Sequence, residues 1–149
     1  MFLQPATRLQ VEVHLGVPVT DTAELFDFVD GIVCDGKRLR AGSVSRQLML
    51  RQSRRGTGLG NGIAIPHAAV RHLVRPRLIY IQPLGAIDMD TPDRKPVSEA
   101  LTLLVRYPPS PADHALLERL RSPRMNPVLL DLLRRGCCAD AAEHLAAGP

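Results

Sequence analysis

The sequence predicts one α/β domain spanning residues 1–149, and three observations carry that prediction. A chain of 149 residues is long enough to bury one core of its own. Segments of strand character are interspersed with segments of helical spacing, the pattern of a layered α/β structure. No internal repeat, low-complexity tract or interdomain linker divides the chain.

Each element has its own local signal. Residues 8–15 (RLQVEVHL) alternate, with Leu9, Val11, Val13 and Leu15 on one parity, which reads as a half-buried strand. Asp21 followed by Glu24 resembles a helix capping box, and Leu25, Phe28, Val29 and Ile32 continue at helical spacing until Asp35-Gly36. A second helix starts at the cap Ser43 and runs through Val44, Leu48 and Arg51 to about Arg54. A glycine-rich stretch and a short strand at 62–65 come next, and then RLIYIQP, Arg77–Pro83, a strand rich in β-branched and aromatic residues. Residues 87–95 (IDMDTPDRK) are polar and turn-prone, hence an exposed loop. Residues 99–107 (EALTLLVRY) fit either a buried strand or a helical segment, and the flanking Pro96 and Pro108-Pro109 together with the length favour the strand. Ser110-Pro111 then opens a helix carrying Leu116, Leu117 and Leu120. Asn126-Pro127 opens another, through Val128, Leu129, Leu132 and Leu133 to the stop at Gly136, and a last short helix covers about residues 139–146.

Composition narrows the function classes. Apolar residues at 45% and charged residues at 23% are those of an ordinary soluble globular protein. No apolar stretch approaches the ~20 residues of a membrane span. The start MFLQPATRLQ lacks the charged head and apolar centre of a secretory signal, so the expectation is a cytoplasmic protein with no membrane insertion. The net charge of +4 permits an acidic partner, but the arginines are scattered. Two tyrosines and three phenylalanines give nucleobases little to stack on, so no nucleic acid is expected. Cys34 and the adjacent Cys137-Cys138 form no CxxC, which indicates reduced thiols and not a disulfide framework or zinc site. The five histidines are dispersed, so neither a metal nor another cofactor is expected.

The densest local signal is GTGLGNGIAIPH, Gly56 to His67. Several glycines permit positive φ and close backbone approach, and exposed N–H groups in such a loop can cradle a phosphate. A Gly-Lys-Ser/Thr ending is missing, which disfavours a nucleotide P-loop, and the glycines precede the strand, which disfavours a dinucleotide site. Ile63 and Ile65 share one face of the short strand, and Pro66 marks its end. His67 is thereby expected at the carboxyl end of a strand, where α/β sheets commonly build sites. A neutral imidazole is a competent nucleophile near neutral pH.

The segment RQSRRGTGLGNGIAIPHA, residues 51–68, resembles the active-site segment of the mannitol/fructose-type enzyme IIA family of the bacterial phosphotransferase system. Its wording is nearest to the nitrogen-regulatory (PtsN-like) branch. There the pattern reads arginine, glutamate, a short spacer, Ser-Thr-Gly, an aliphatic, then Gly-Asn-Gly-Ile-Ala-Ile-Pro-His. The match is nearly unbroken from Thr57 to His67. GAIDMDTPDRKPV is similar to the family's loop before its next strand, and PADHALLERL to the helix start that carries its second histidine. The likeness covers essentially the whole chain and is fainter before Gly36. The sequence departs from the pattern at Gln52, where glutamate is usual, at Gly56, where serine is usual, and at Ser98-Glu99 and Arg106, in a stretch that is usually apolar.

The resemblance implies a mixed β-sheet flanked by helices on both faces. It implies that His67 accepts a phosphoryl group from the phosphocarrier HPr (or an NPr-like relative), that His114 is the second active-site histidine, and that Arg51 lies beside the site. Thr57, Gly60 and Asn61 fall in the loop expected to offer groups to the phosphoryl oxygens, with loop geometry as the alternative role for Thr57 and Asn61. The expected function is a phosphohistidine carrier that regulates nitrogen or other metabolism through phosphorylation-dependent binding of a downstream regulatory protein. Two alternatives stay open. One is a sugar-specific enzyme IIA that passes its phosphoryl group to an enzyme IIB. The other is a binding module that kept the fold and lost phosphotransfer.

Overall fold

The computed structural model describes residues 9–122 and 126–147; Arg8, the expected first residue of the opening strand, and most of the sequence start lie outside them. The elements run β1 (Gln10–Val17), α1 (Thr22–Val33), α2 (Ser43–Arg54), β2 (Gly58–Gly60), β3 (Ile63–Ala64), β4 (His67–Val70), β5 (Arg77–Pro83), β6 (Glu99–Arg106), α3 (Pro111–Arg121), α4 (Asn126–Arg134) and α5 (Cys138–Ala147).

The six strands form one sheet in the order β1-β5-β6-β3-β2, with β4 also paired to β6. β1 pairs with β5 in parallel and β5 with β6 in antiparallel, so the sheet is mixed. Alternation along the central strands splits the core in two. Ile79, Ile81, Ala100 and Leu104 face α1 and α2 on one side. Leu78, Tyr80, Leu101 and Leu103 face α3, α4 and α5 on the other. The helices therefore cover both faces.

β3 and β4 occupy successive stretches of the same edge of β6, with Ile63 opposite Glu99 and His67 opposite Leu103. The strand expected at 62–65 is thus interrupted at Ile65-Pro66 and resumes at once. Pro66 has no N–H to give, but its carbonyl accepts from Leu103 N at 2.9 Å, so the edge stays in register across the break. His67 accordingly opens a second strand segment instead of following the end of one.

Helix starts differ from the local reading in two places. Asp21 caps α1 by accepting from Glu24 N at 2.8 Å, but the reciprocal half of the box is displaced by one residue. The Glu24 carboxylate accepts from Thr20 N at 2.7 Å and Thr20 Oγ1 at 2.6 Å. At α2 the expected cap Ser43 is the first helical residue, and the cap position is Gly42, at φ 90°. The capping oxygens come from across the helix pair. The buried Asp30 carboxylate of α1 accepts from Gly42 N at 2.8 Å and from Val44 N and Ser45 N at 2.9 Å. Burial alone would raise the Asp30 pKa, yet the bonds from Ser45, Gly42 and Val44 outweigh it and hold the carboxyl below its usual value. α3 carries a complete capping box between Ser110 and Asp113.

The stretch expected as an exposed loop, 87–95, is only half exposed. Ile87, Met89 and Thr91 are buried while Asp88, Asp90, Asp93 and Lys95 face solvent. Its start is held to Val97 by a reciprocal pair of backbone bonds at 2.8 and 2.7 Å. The apolar residues at alternate positions are what the polar average concealed.

Glu99, at the start of β6, is only 7% exposed. Its carboxylate accepts from Arg134 Nε at 2.7 Å and Nη2 at 2.6 Å, and from the Tyr80 hydroxyl at 2.6 Å. A charge in a strand otherwise buried is thus neutralised by α4.

Candidate functional site

Two backbone features shape the glycine-rich stretch that leads to His67. The glycine-rich stretch is a hairpin: β2 and β3 pair in antiparallel around Asn61 (φ 57°) and Gly62 (φ 81°). Positive φ at both central residues is what a two-residue type I′ turn requires, and Asn-Gly is its preferred sequence. Gly56 and Gly58 are needed for a different reason. A Cβ at Gly58 would lie 2.6 Å from Thr91 Cγ2, and one at Gly56 2.7 Å from Asp90 Oδ2, so the 88–91 segment presses directly on their backbone.

Arg51 lies in the last turn of α2, which packs on β4, and its side chain reaches His67. Arg51 Nε donates to His67 Nε2 at 3.1 Å, and Arg51 Nη1 donates to Arg55 O at 2.7 Å. A guanidinium can only donate, so Nε2 carries a lone pair and the ring proton sits on Nδ1. Nδ1 donates that proton to Ile65 O at 2.8 Å, the carbonyl left free where β3 ends. Burial, then the charges of Arg51 and Arg121, push the His67 pKa below its ordinary value, with the Ile65 bond opposing them. The result is a neutral imidazole in a fixed tautomer, with its nucleophilic nitrogen on the arginine side.

His67 opens into a cleft of about 450 Å³ that is also lined by Arg51, Arg54, Leu50, Tyr107 and His114. His114 is exposed, in the first turn of α3, and faces this cleft from the opposite side of the sheet edge. The structure therefore brings Arg51, His67 and His114 together. Thr57, Gly60 and Asn61 do not line the cleft. The Thr57 hydroxyl donates to Gln52 Oε1 at 2.8 Å, and Asn61 N donates to Asp93 Oδ2 at 2.8 Å. Gly60 lies against the same Asp93 carboxylate.

Arg54 and Arg121 escaped the sequence reading. Arg54 follows Arg51 by three residues, a spacing that puts both on one helix face. Arg121 ends α3 and has no such local signal. Burial, and then the charges of Arg121, Arg55 and Arg54, lower the Arg51 pKa. Among the described residues no carboxylate pairs with Arg51, Arg54 or Arg55. The Asp113 carboxylate in the cleft wall is occupied by Ser110 N at 2.8 Å. This crowd of cations beside a neutral imidazole is suited to receiving a multiply charged anion.

Among the described residues no three His, Cys, Asp or Glu side chains lie close enough to hold a metal ion, and no helix is long and apolar enough to cross a membrane.

Comparison with solved structures gives folds of the same kind. The nitrogen regulatory protein IIA-Ntr from Neisseria meningitidis is 24% identical, with a TM-score of 0.73 over 95% of this chain and 94% of that one. The IIA mannitol protein from Escherichia coli is 14% identical, with a TM-score of 0.59 over 97% of this chain and 99% of that one. The complex of enzyme IIAMTL with phosphorylated enzyme IIBMTL from Escherichia coli matches at 15% identity, with a TM-score of 0.56 over 98% of each chain. Comparison with curated protein sequences gives no match. Residues 10–142 match the model of the phosphoenolpyruvate-dependent sugar phosphotransferase system EIIA 2 family, and the chain belongs to that family.

Proposed function

We propose that this chain is a phosphohistidine carrier in which His67 Nε2 accepts a phosphoryl group from HPr or an HPr-like carrier. The observation behind the reading is the His67 ring itself: Nδ1–H fixed on Ile65 O and Nε2 presented to Arg51 in an arginine-rich cleft. In the transfer the Nε2 lone pair attacks phosphorus in line. The donor's N–P bond breaks, and its electron pair returns to the donor imidazole. His67 becomes a phosphoimidazolium that keeps its proton on Nδ1, hydrogen-bonded to the Ile65 carbonyl oxygen, which favours the developing positive charge. Arg51 exchanges its bond to Nε2 for bonds to phosphoryl oxygens, and His114 closes the other side. Such transfers need positioning and charge neutralisation more than covalent assistance.

Intact-mass measurement at mildly alkaline pH, after incubation with phosphoenolpyruvate, enzyme I and HPr, tests this directly. One phosphoryl addition is expected, and it is absent in His67→Ala. No addition with the cognate donor leaves a binding module on the same fold.

Once His67 is phosphorylated, the role we favour is nitrogen regulation, supported by the wording of residues 57–67 and the similarity to IIA-Ntr. A dianion added among exposed arginines changes which protein surfaces the cleft attracts, which makes a switch physically reasonable. The alternative is a sugar-specific IIA. It draws on the similarity to a IIA solved together with a phosphorylated IIB, and transfer from phospho-His67 to a IIB from the same organism would establish it.

A further inference from the structure

The His67 cleft does not end at its own walls. It shares Gln47, Ala69 and Tyr107 with a second hollow of about 380 Å³, which in turn shares Arg38, Leu39 and His72 with a third of about 800 Å³. Together they make one trough from His67 past the end of β4 and the α1–α2 connection. Arg38, Arg40 and Arg71 line its middle, and Lys37 and Arg75 its far end. Among the described residues none of these five cations is paired with a carboxylate. Arg77 lines the far end too, but its charge is matched by Glu12. Among the described residues two acids line the trough, Asp113 at the His67 end and Asp35 at the far end, and both are engaged: Asp113 accepts from Ser110 N at 2.8 Å, and Asp35 Oδ1 accepts from the backbone N–H groups of Lys37, Arg38 and Leu39 at 2.9, 2.9 and 3.1 Å.

Apolar surface accompanies the charge. Leu50 (47% exposed), Tyr107 (52%) and Val74 (43%) stand along the trough, and the Arg71 guanidinium carbon lies 4.5 Å from the centre of the Tyr107 ring. Arginine stacked on an aromatic, next to exposed aliphatic side chains, is the composition of a protein interface. A nucleic acid would use the cations, but it would leave those aliphatic groups bare and find one exposed aromatic to stack on.

We propose that the protein exchanging phosphoryl groups with His67 docks along this trough through an acidic stripe edged by apolar side chains, with Arg38, Arg40 and Arg71 as its charge partners. The proposal rests on the relay described above and adds the chemistry of the partner's face. Unpaired cations on a concave surface raise the encounter rate of an acidic partner and fix its register.

The test uses phosphorylated HPr from the same organism, with the wild type, the triple variant Arg38→Glu/Arg40→Glu/Arg71→Glu, and Arg135→Glu as a charge control outside the trough. Initial rates against donor concentration are expected to give the triple variant a KM raised by about tenfold or more, with kcat within about twofold of wild type. Added salt raises the wild-type KM and flattens the difference. Arg38→Gln/Arg40→Gln/Arg71→Gln falls between, and it decides the matter if the charge-reversed protein does not fold. A triple-variant KM equal to that of Arg135→Glu overturns the trough and leaves the relay standing. Titration calorimetry with unphosphorylated HPr separates the converse case: charge-dependent binding without transfer overturns the relay and leaves the trough. Absence of both overturns both. A duplex DNA of ~20 base pairs binding the wild type more tightly than HPr does also refutes the proposal.

Discussion

Arg134→Ala tests the account of the core most severely, because it strands the one acidic side chain in β6. Glu99 is 7% exposed and receives two charge-assisted bonds from Arg134, at 2.7 and 2.6 Å, and one from Tyr80 at 2.6 Å. Removing one partner of a fully buried pair costs about 3–5 kcal/mol. The Arg134 side chain is 50% exposed, and Tyr80 still donates after the substitution, so about 2–3 kcal/mol is expected here. For a chain of this length that corresponds to a Tm lowered by about 4–12 °C. Thermal unfolding followed by circular dichroism at pH 7 measures it.

The pH dependence supplies a second check. Burial alone would raise the Glu99 pKa, but Arg134 and Tyr80 outweigh it and hold the carboxyl below its usual value. The pair's contribution is therefore complete above the ordinary glutamate range and is lost as pH falls through the depressed folded value. In Arg134→Ala burial is opposed by Tyr80 alone, so Glu99 takes up its proton at higher pH. The gap between wild type and variant should be constant near neutrality and narrow in acid. A Tm change below about 2 °C, or a gap unaffected by acid, would refute the reasoning. Tyr80→Phe/Glu99→Leu/Arg134→Met, which removes the whole polar group, should recover most of the loss.

Three further substitutions have expected outcomes. Asp30→Ala leaves the α2 donors Gly42 N, Val44 N and Ser45 N without their acceptor and should cost about 2–3 kcal/mol in urea unfolding, more than an ordinary cap. Its folded pKa is depressed, so the stability Asp30 gives is present above the normal aspartate range and should fade as pH drops through the folded value, which acid titration of wild type against Asp30→Asn detects. Gly58→Ala places a methyl 2.6 Å from Thr91 Cγ2 and 2.8 Å from Asp90 O, and should destabilise by about 1–3 kcal/mol by the same assay. Arg51→Ala should slow phosphorylation of His67 by about a hundredfold or more in single-turnover transfer from phospho-HPr, with the fold intact by circular dichroism.

Most of the fold was legible because its signals are local. The β-branched and aromatic content of Arg77–Pro83, the proline-bounded run that became β6, and the Ser110-Pro111 helix start each depend on neighbours a few residues away. The segment from Thr57 to His67 likewise pointed to His67 and, sixteen residues earlier, to Arg51, which the structure joins by a 3.1 Å bond. Other features depend on residues far apart in the chain. The α2 cap is an aspartate on another helix, so Ser43 looked like the cap because it was the best local candidate. Gly56 and Gly58 are fixed by Asp90 and Thr91, more than thirty positions on, and the departure at Glu99 is explained only by Arg134. Arg121 reaches the His67 environment from the end of α3. Sequence periodicity and turn chemistry determine which segments become strands and helices, because those preferences act over one or two turns of chain. Which charge neutralises which, which glycine admits a neighbour's backbone, and which cations gather around His67 are contacts through space, and only the packed structure decides them.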